Sequence, residues 1–191
     1  MAEDTLGVKA AGEWYAAAKP TYTTLVDTTR LVTELYNLVN VPSGIWVDEQ
    51  GRVARINEGT YSSLITLGAG TIGTDEYLPL VRDWVANGTK SPYVWAPEDM
   101  VKRIRRATPD EALADPTFKL GVYFYERNEA LARTYWARAQ ALAPDNWNYH
   151  RQDWNLTEGL AGPKYREKRG ALGDKPYYAP LDQPTEPTTP R

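Results

Sequence analysis

The chain has 191 residues, a net charge of −3 and 42% hydrophobic residues, which suits one soluble globular domain with or without a helical extension. The absence of cysteine excludes disulfides, thiolate metal sites and thiol nucleophiles within this chain, and the single histidine, His150, excludes multi-histidine metal sites. The small negative charge argues against a broad nucleic-acid-binding surface. We therefore expect no metal, no cofactor and no nucleic-acid partner.

Membrane association is not expected either. No stretch approaches the roughly 20 apolar residues that are needed to span a bilayer. The N-terminus lacks the basic and apolar regions of a signal peptide. For the chain as written, these features predict a cytoplasmic protein without a membrane partner.

The first third of the chain alternates helices with short extended segments. The alanine-rich stretch 8–19 is typical of a helix, and the β-branched stretch 21–27 is typical of an extended segment. Asp27 or Thr28 can cap a second helix that continues to about Asn37.

A β-hairpin is predicted after this helix. Residues 44–49 have the composition of a buried strand, and residues 52–56 alternate as its antiparallel partner would. The turn at 48–51 contains Gly51, which can adopt a positive φ.

The remainder of the chain is predicted to be mainly helical. The glycine-rich stretch 57–73, including GAGTIG at 68–73, is predicted to be a loop, because its glycines do not connect a strand to a helix as a nucleotide-binding motif would. Helices are predicted over 75–88, 97–106, 109–128 and 129–142, with a weaker helical pattern over 151–173 and a Pro/Thr-rich, disordered end at 182–191.

These elements predict three parts and a mostly helical α/β protein. The first is a mixed α/β part over 1–90 with βαβ and ββα segments. The second is a helical extension over 93–170, and the third is an extended, Pro-rich tail over 171–191.

The order of elements around the Val-Pro step resembles the later part of a thioredoxin-like domain. It is most similar to the redoxin group, which includes TlpA/ResA-type thiol-disulfide proteins and alkyl hydroperoxide reductase/thiol-specific antioxidant proteins. The group carries the pattern D…YxVxxVPtxxxIDxxGxI, and the residues here that match it are Asp27, Tyr36, Val39, Val41, Pro42, Trp46, Val47, Asp48, Gly51 and Val53.

This resemblance assigns a role to the Val-Pro step. In the family the proline is cis and packs against the redox cysteines, and the backbone of the preceding residue pairs with the substrate chain. The resemblance places Val41 and Pro42 in those positions. The alternative is that Pro42 is an ordinary turn proline before a strand.

The chain departs from the family at its N-terminal side. The family's first strand and its CxxC helix precede the matching region, whereas MAEDTLG at 1–7 is similar only to the end of that strand. We therefore expect a redox-inactive chain from a truncated gene or a start codon placed inside a longer reading frame. We also expect moderate stability, because loss of the neighbouring strands would expose an apolar sheet edge near Ile45 and Val47 for a protein partner.

A second resemblance lies in the helical part. Residues 117–144 are similar to one tetratricopeptide repeat (TPR), in which small residues allow close helix approach and aromatic residues fill the space between the helices. The matching residues are Leu120, Gly121, Phe124, Ala132, Trp136, Ala139 and Pro144. The alternative is an ordinary helical hairpin that packs on the α/β part.

One further stretch concentrates aromatic and basic residues. The sequence WNYHRQDW at 147–154 could provide an interaction surface through Trp147, Tyr149, His150 and Arg151, or it could pack at the end of the helical part. No nucleophile–base pair is visible, so no catalytic residue is predicted.

Two functions follow from the sequence. The first is a redoxin-type protein whose family exchanges thiols and disulfides or reduces peroxides, although this chain lacks the thiols to do so. The second is a non-enzymatic interaction module that uses the TPR-like helices.

Overall fold

A computed structural model describes residues 1–67, 70–104, 106–157 and 161–179. The predicted disorder at 182–191 lies outside these ranges. The described chain is mostly helical, as predicted, and none of its helices is long and apolar enough to cross a membrane. Its helices are α1 Val8–Ala18, α2 Leu31–Leu35, α3 Tyr77–Asn87, α4 Pro97–Arg103, α5 Pro109–Tyr125, α6 Glu129–Leu142, α7 Trp147–Leu156 and α8 Ala161–Gly170. Its strands are β1 Ala2–Glu3, β2 Val26–Asp27, β3 Ser43–Val47, β4 Val53–Glu58, β5 Ile65–Leu67 and β6 Gly70–Ile72.

The chain divides into two compact units, each built from segments that are distant in sequence. The first unit contains residues 1–39 and 106–171, and the second contains residues 40–105 and the described part of 172–191. The predicted ranges 1–90, 93–170 and 171–191 follow the order of the sequence and remain a prediction. The described strands form three separate two-stranded sheets.

In the first unit, β1 and β2 are parallel and α1 connects them, with Ala2 opposite Val26. The N-cap residue of α2 is Arg30, and not Asp27 or Thr28 as predicted. The chain turns into the helix through Asp27, which satisfies N–H groups at its start from outside the N-cap position. Its carboxylate accepts hydrogen bonds from the backbone N–H groups of Thr29, Leu31 and Val32. Burial raises the pKa of Asp27, but these backbone hydrogen bonds outweigh it and lower the pKa overall.

Helix α2 is shorter than predicted. It spans Leu31–Leu35 instead of 28–37, because the backbone is left-handed on both sides of it, at Arg30 and at Asn37. A left-handed residue cannot continue an α-helix.

The helical hairpin of α5 and α6 forms the centre of the first unit. Thr108 and Glu111 close a capping box at the start of α5. Gly121 on α5 lies against Trp136 on α6, and Trp136 is completely buried. The hairpin and its close contact are thus as predicted, while the likeness to a TPR remains a prediction. The surrounding core contains Ala114, Phe118, Ala132, Ala139, Ala143 and Tyr149.

In the second unit, β3 and β4 form the predicted antiparallel hairpin, with Trp46 opposite Arg55. Gly51 adopts φ 76° in the connecting turn, as predicted. Trp46 is buried against α3, where its indole N–H donates to the Tyr77 hydroxyl at 2.7 Å.

The prediction of a loop over residues 57–73 is wrong in part. Asn57 and Glu58 end β4, and β5 pairs with β6 as a second antiparallel hairpin. The β-branched residues Ile65 and Thr66 favour a strand, and this preference outweighs the glycines around them. Of the GAGTIG sequence, Gly68 and Ala69 lie outside the described residues.

Gly121→Ala is expected to destabilise the first unit. A Cβ atom at this position would lie 2.3 Å from Cδ1 of Trp136, and the buried indole has no room to move. Overpacking of this kind costs about 1–3 kcal/mol, which exceeds the roughly 0.5–1 kcal/mol that alanine gains over glycine in a helix. The urea midpoint of unfolding, followed by Trp fluorescence, should therefore fall.

Gly162→Ala in α8 is the matched control, because its nearest neighbour, Nη1 of Arg166, would lie at an ordinary 3.4 Å. The urea midpoint of the Gly162→Ala chain should equal or exceed that of the wild type. A Gly121→Ala chain as stable as the wild type would contradict the close approach of α5 and α6.

Candidate functional site

The Val41-Pro42 peptide bond is cis, and the loop around it is fixed by hydrogen bonds at both ends. The carbonyl of Pro42 accepts from the N–H groups of Gly59, at 2.8 Å, and Thr60, at 3.3 Å. The Ser43 hydroxyl donates to the carbonyl of Asn40 at 2.8 Å. These bonds hold the loop against the end of β4.

Both backbone polar groups of Val41 have partners inside the second unit. Its N–H donates to Oδ1 of Asn40 at 2.9 Å, and its carbonyl accepts from the Tyr178 hydroxyl at 2.9 Å. These are the groups that the resemblance would assign to a substrate chain. In this structure the C-terminal part of the same chain engages the carbonyl.

The C-terminal segment 177–179 makes three further polar contacts here. Nδ2 of Asn40 donates to the carbonyl of Tyr177 at 3.1 Å, and the N–H of Ala179 donates to Oε2 of Glu58 at 3.4 Å. The hydroxyls of Tyr178 and Tyr61 lie 2.9 Å apart. The segment is therefore held through its backbone on both sides of Tyr178.

Gly59 provides the surface under the Tyr178 ring. It is buried with φ 67°, and a Cβ atom there would lie 3.0 Å from the ring. Both the left-handed backbone and the ring therefore require glycine at this position.

The polar groups at this site hold a segment of the same chain. Its contacting groups are backbone carbonyls and N–H groups, one amide, one carboxylate and the two hydroxyls of Tyr61 and Tyr178. Such groups can fix a peptide in place, whereas thiol exchange needs a cysteine. The described residues contain no cluster of three His, Asp or Glu side chains suited to a metal ion.

The second unit also contains an open groove of about 680 Å³. Its lining includes the apolar side chains of Trp84, Trp95 and Met100 and the charged side chains of Asp48, Glu49 and Arg52. Trp46 stacks behind Trp84 with ring centres 4.8 Å apart. The sequence analysis did not identify this groove, because its tryptophans come from separate elements.

The predicted sheet edge belongs to a strand that is partly covered. Strand β3 pairs with β4, and among the described residues no other strand pairs with it. Trp46 is buried, while Val47 is exposed and Ile45 is half-buried. A partner at this edge remains a prediction.

The aromatic stretch at 147–154 lies in the first unit. Trp147 and Tyr149 are buried, and Tyr149 stacks on Phe118 with ring centres 4.8 Å apart. His150 and Arg151 are half-buried. The first two side chains therefore contribute to packing, which was the alternative interpretation of this stretch.

His150 lies in an environment that disfavours its charged form. Burial lowers its pKa to about 4, the positive charge of Lys168 acts in the same direction, and a hydrogen bond to the Pro144 carbonyl opposes both. Its Nε2 lies 3.2 Å from that carbonyl oxygen.

The sequence analysis placed Val41 and Pro42 at a site but missed the residues that complete it. Asn40, Gly59, Tyr61 and Tyr178 come from three separate segments of the chain. The one available signal was the Tyr-Tyr pair at 177–178, which is an unusual aromatic density in a stretch otherwise interpreted as tail.

His150 is expected to make the folded chain less stable in weak acid. As the pH falls from about 6.5 towards 4, the unfolded chain takes up a proton at His150 before the folded chain does, so the free energy of unfolding decreases. The stabilising contribution is complete above pH 6.5. Because the ring is partly exposed, solvent screening limits the effect to about 1–2 kcal/mol.

His150→Gln should remove this pH dependence. The difference in unfolding free energy between wild type and variant, measured by urea denaturation, should be constant above pH 7 and should change in favour of the variant at pH 4.5. An equal difference at both pH values would contradict the buried, neutral imidazole.

Comparison of the chain with protein-family models, with curated proteins and with solved structures gives no match.

Proposed function

We propose that this chain is a redoxin-type protein without thiol chemistry that binds extended protein segments at its Val41-Pro42 loop. The observation that carries the proposal is the engagement of the Val41 carbonyl by the Tyr178 hydroxyl, at 2.9 Å, in a chain without cysteine. A position that a substrate chain occupies in the similar family is here contacted by polypeptide and faces no thiol.

The surroundings of the loop support a binding role. Asn40 is 1% exposed, and its side chain bonds the backbone on two sides, at Val41 and at Tyr177. A buried amide with both ends hydrogen-bonded is rigid, and a rigid group loses little entropy on binding.

The proposal predicts binding without turnover. In insulin-reduction and peroxide-reduction assays the full chain should stay at the buffer rate, with a cysteine-containing thioredoxin as the positive control. The same chain should bind fluorescently labelled carboxymethylated lactalbumin, a permanently extended polypeptide, in an anisotropy titration. Turnover above the buffer rate would refute the redox-inactive part. Because Tyr178 already engages the Val41 carbonyl, the binding part is refuted only if lactalbumin binds neither the full chain nor its Tyr178→Ala variant.

A second candidate is an interaction module based on the TPR-like hairpin. Leu113, Leu120 and Tyr123 on α5 are 46%, 44% and 55% exposed. Their spacing of seven and three residues places them on one face of the helix. An exposed apolar stripe of this kind fits the apolar face of an amphipathic partner helix.

Two variants distinguish these surfaces in the lactalbumin titration. Asn40→Ala, with Tyr61→Phe as a milder change, should weaken binding if the Val41-Pro42 loop is the site. Leu120→Asp should leave binding unchanged, because Leu120 lies on α5. The reverse result would favour the second candidate, and circular dichroism should show that each variant is folded.

A further inference from the structure

The contact between Tyr178 and Gly59 has the form of a specific peptide site. We propose that the site formed by Gly59, Val41 and Tyr61, called the notch below, recognises tyrosine in an extended peptide. Residues 177–179 of the same chain fill this notch, and a partner segment that contains a tyrosine can take their place. The inference rests on the proposed function, since it names the partner chemistry of the same loop.

The floor of the notch selects a flat ring. The ring of Tyr178 lies 3.0 Å from the position that a Cβ atom at Gly59 would occupy. Gly59 is buried at the end of β4, and the N–H of Gly59 is tied to the Pro42 carbonyl at 2.8 Å. The backbone that forms the floor is therefore held by a hydrogen bond that does not involve the tyrosine ring.

The end of the notch selects a hydroxyl. The Tyr178 hydroxyl donates to the Val41 carbonyl at 2.9 Å and lies 2.9 Å from the Tyr61 hydroxyl. A phenylalanine ring would leave this arrangement without its donor, and sites built around a substrate hydroxyl reject analogues that lack it. A phosphate on the tyrosine would put negative charge against a carbonyl oxygen and remove the donor.

The two sides of the notch make hydrogen bonds to the backbone of the bound segment. Asn40 donates to the carbonyl of Tyr177, and Glu58 accepts from the N–H of Ala179. Backbone contacts provide affinity for any sequence, while a pocket for one side chain provides specificity. The recognised feature is thus the tyrosine ring and its hydroxyl, held between two backbone contacts.

Residues 177–179, which fill the notch, lie at the surface, where a competing peptide can reach them. Tyr177 and Tyr178 are half-buried, Ala179 is exposed, and the preceding residues 174–176 are exposed. Neither tyrosine belongs to the buried apolar cluster of the second unit, which is formed by Trp46, Ala54, Tyr77 and Leu80. A segment attached in cis competes at high effective concentration, so an external peptide binds the wild-type chain weakly.

The test uses the full chain and a labelled peptide copied from it. The probe is fluorescein-labelled Gly-Asp-Lys-Pro-Tyr-Tyr-Ala amide, the sequence of residues 173–179. In an anisotropy titration the Tyr178→Ala chain, whose notch is vacant, should bind this peptide at least about 10-fold more tightly than the wild type, since removing a competing state restores the intrinsic affinity. Tyr22→Ala, at a tyrosine that is 74% exposed, is the matched control and should behave as the wild type does.

Peptide variants test the recognition itself. Replacing the second tyrosine of the peptide by phenylalanine or phosphotyrosine should reduce affinity for the Tyr178→Ala chain at least about 10-fold. Gly59→Ala in the Tyr178→Ala chain should abolish binding. The phenylalanine peptide keeps the test decisive if that double variant does not fold.

Two results would overturn the inference. One is a folded Tyr178→Ala chain that binds the peptide no more tightly than the wild type does. The other is equal binding of the tyrosine and phenylalanine peptides. Either result is separate from the proposed function, which would fail by redox turnover or by failure of lactalbumin to bind both the wild-type chain and the Tyr178→Ala chain.

Discussion

The first unit is organised around the buried guanidinium of Arg30. Its side chain is 2% exposed and lies beside the stacked rings of Phe118 and Tyr149, whose centres are 5.1 and 4.7 Å from Cζ. Nε donates to Oδ1 of Asp115 at 3.2 Å, and Nη1 pairs with Glu3. One side chain thus joins strand β1, the approach to α2, and helices α5 and α7.

The Arg30 cluster fixes how these elements pack together, and it adds little net stability. Burial raises the pKa of Glu3 in spite of the opposing charge of Arg30 and the hydrogen bond from Thr33. A carboxyl group with a raised pKa stabilises the fold below its unfolded pKa, and this contribution is lost as the pH rises through the folded value. Near neutral pH, the attraction to Arg30 therefore does not fully offset the cost of burying the Glu3 carboxylate. Removing one partner would still cost about 3–5 kcal/mol, because the other charges would remain buried.

The Arg30 cluster also explains which features could be predicted from the sequence. Helices α1, α5 and α6 follow from alanine content, caps and the small-aromatic pattern, and the β3–β4 hairpin follows from alternation and Gly51. These signals are local. The contact of Arg30 with Asp115 spans 85 positions, and nothing in the sequence Thr-Thr-Arg-Leu indicates a buried cation. The Tyr178 contact with Val41 spans 137 positions and was missed for the same reason.

The second unit uses the same kind of interaction at Arg55. This side chain is 1% exposed, packs on the rings of Trp46 and Trp95, and donates to the carbonyl of Tyr93 at 2.9 Å. It fixes the segment after α3 to β4, where the N–H of Trp95 also bonds the carbonyl of Ala54. In both units a guanidinium packed on aromatic rings joins elements whose described sheets are two-stranded. Segment 177–179, by contrast, contacts the second unit through the Tyr178 hydroxyl and through backbone groups on both sides of it.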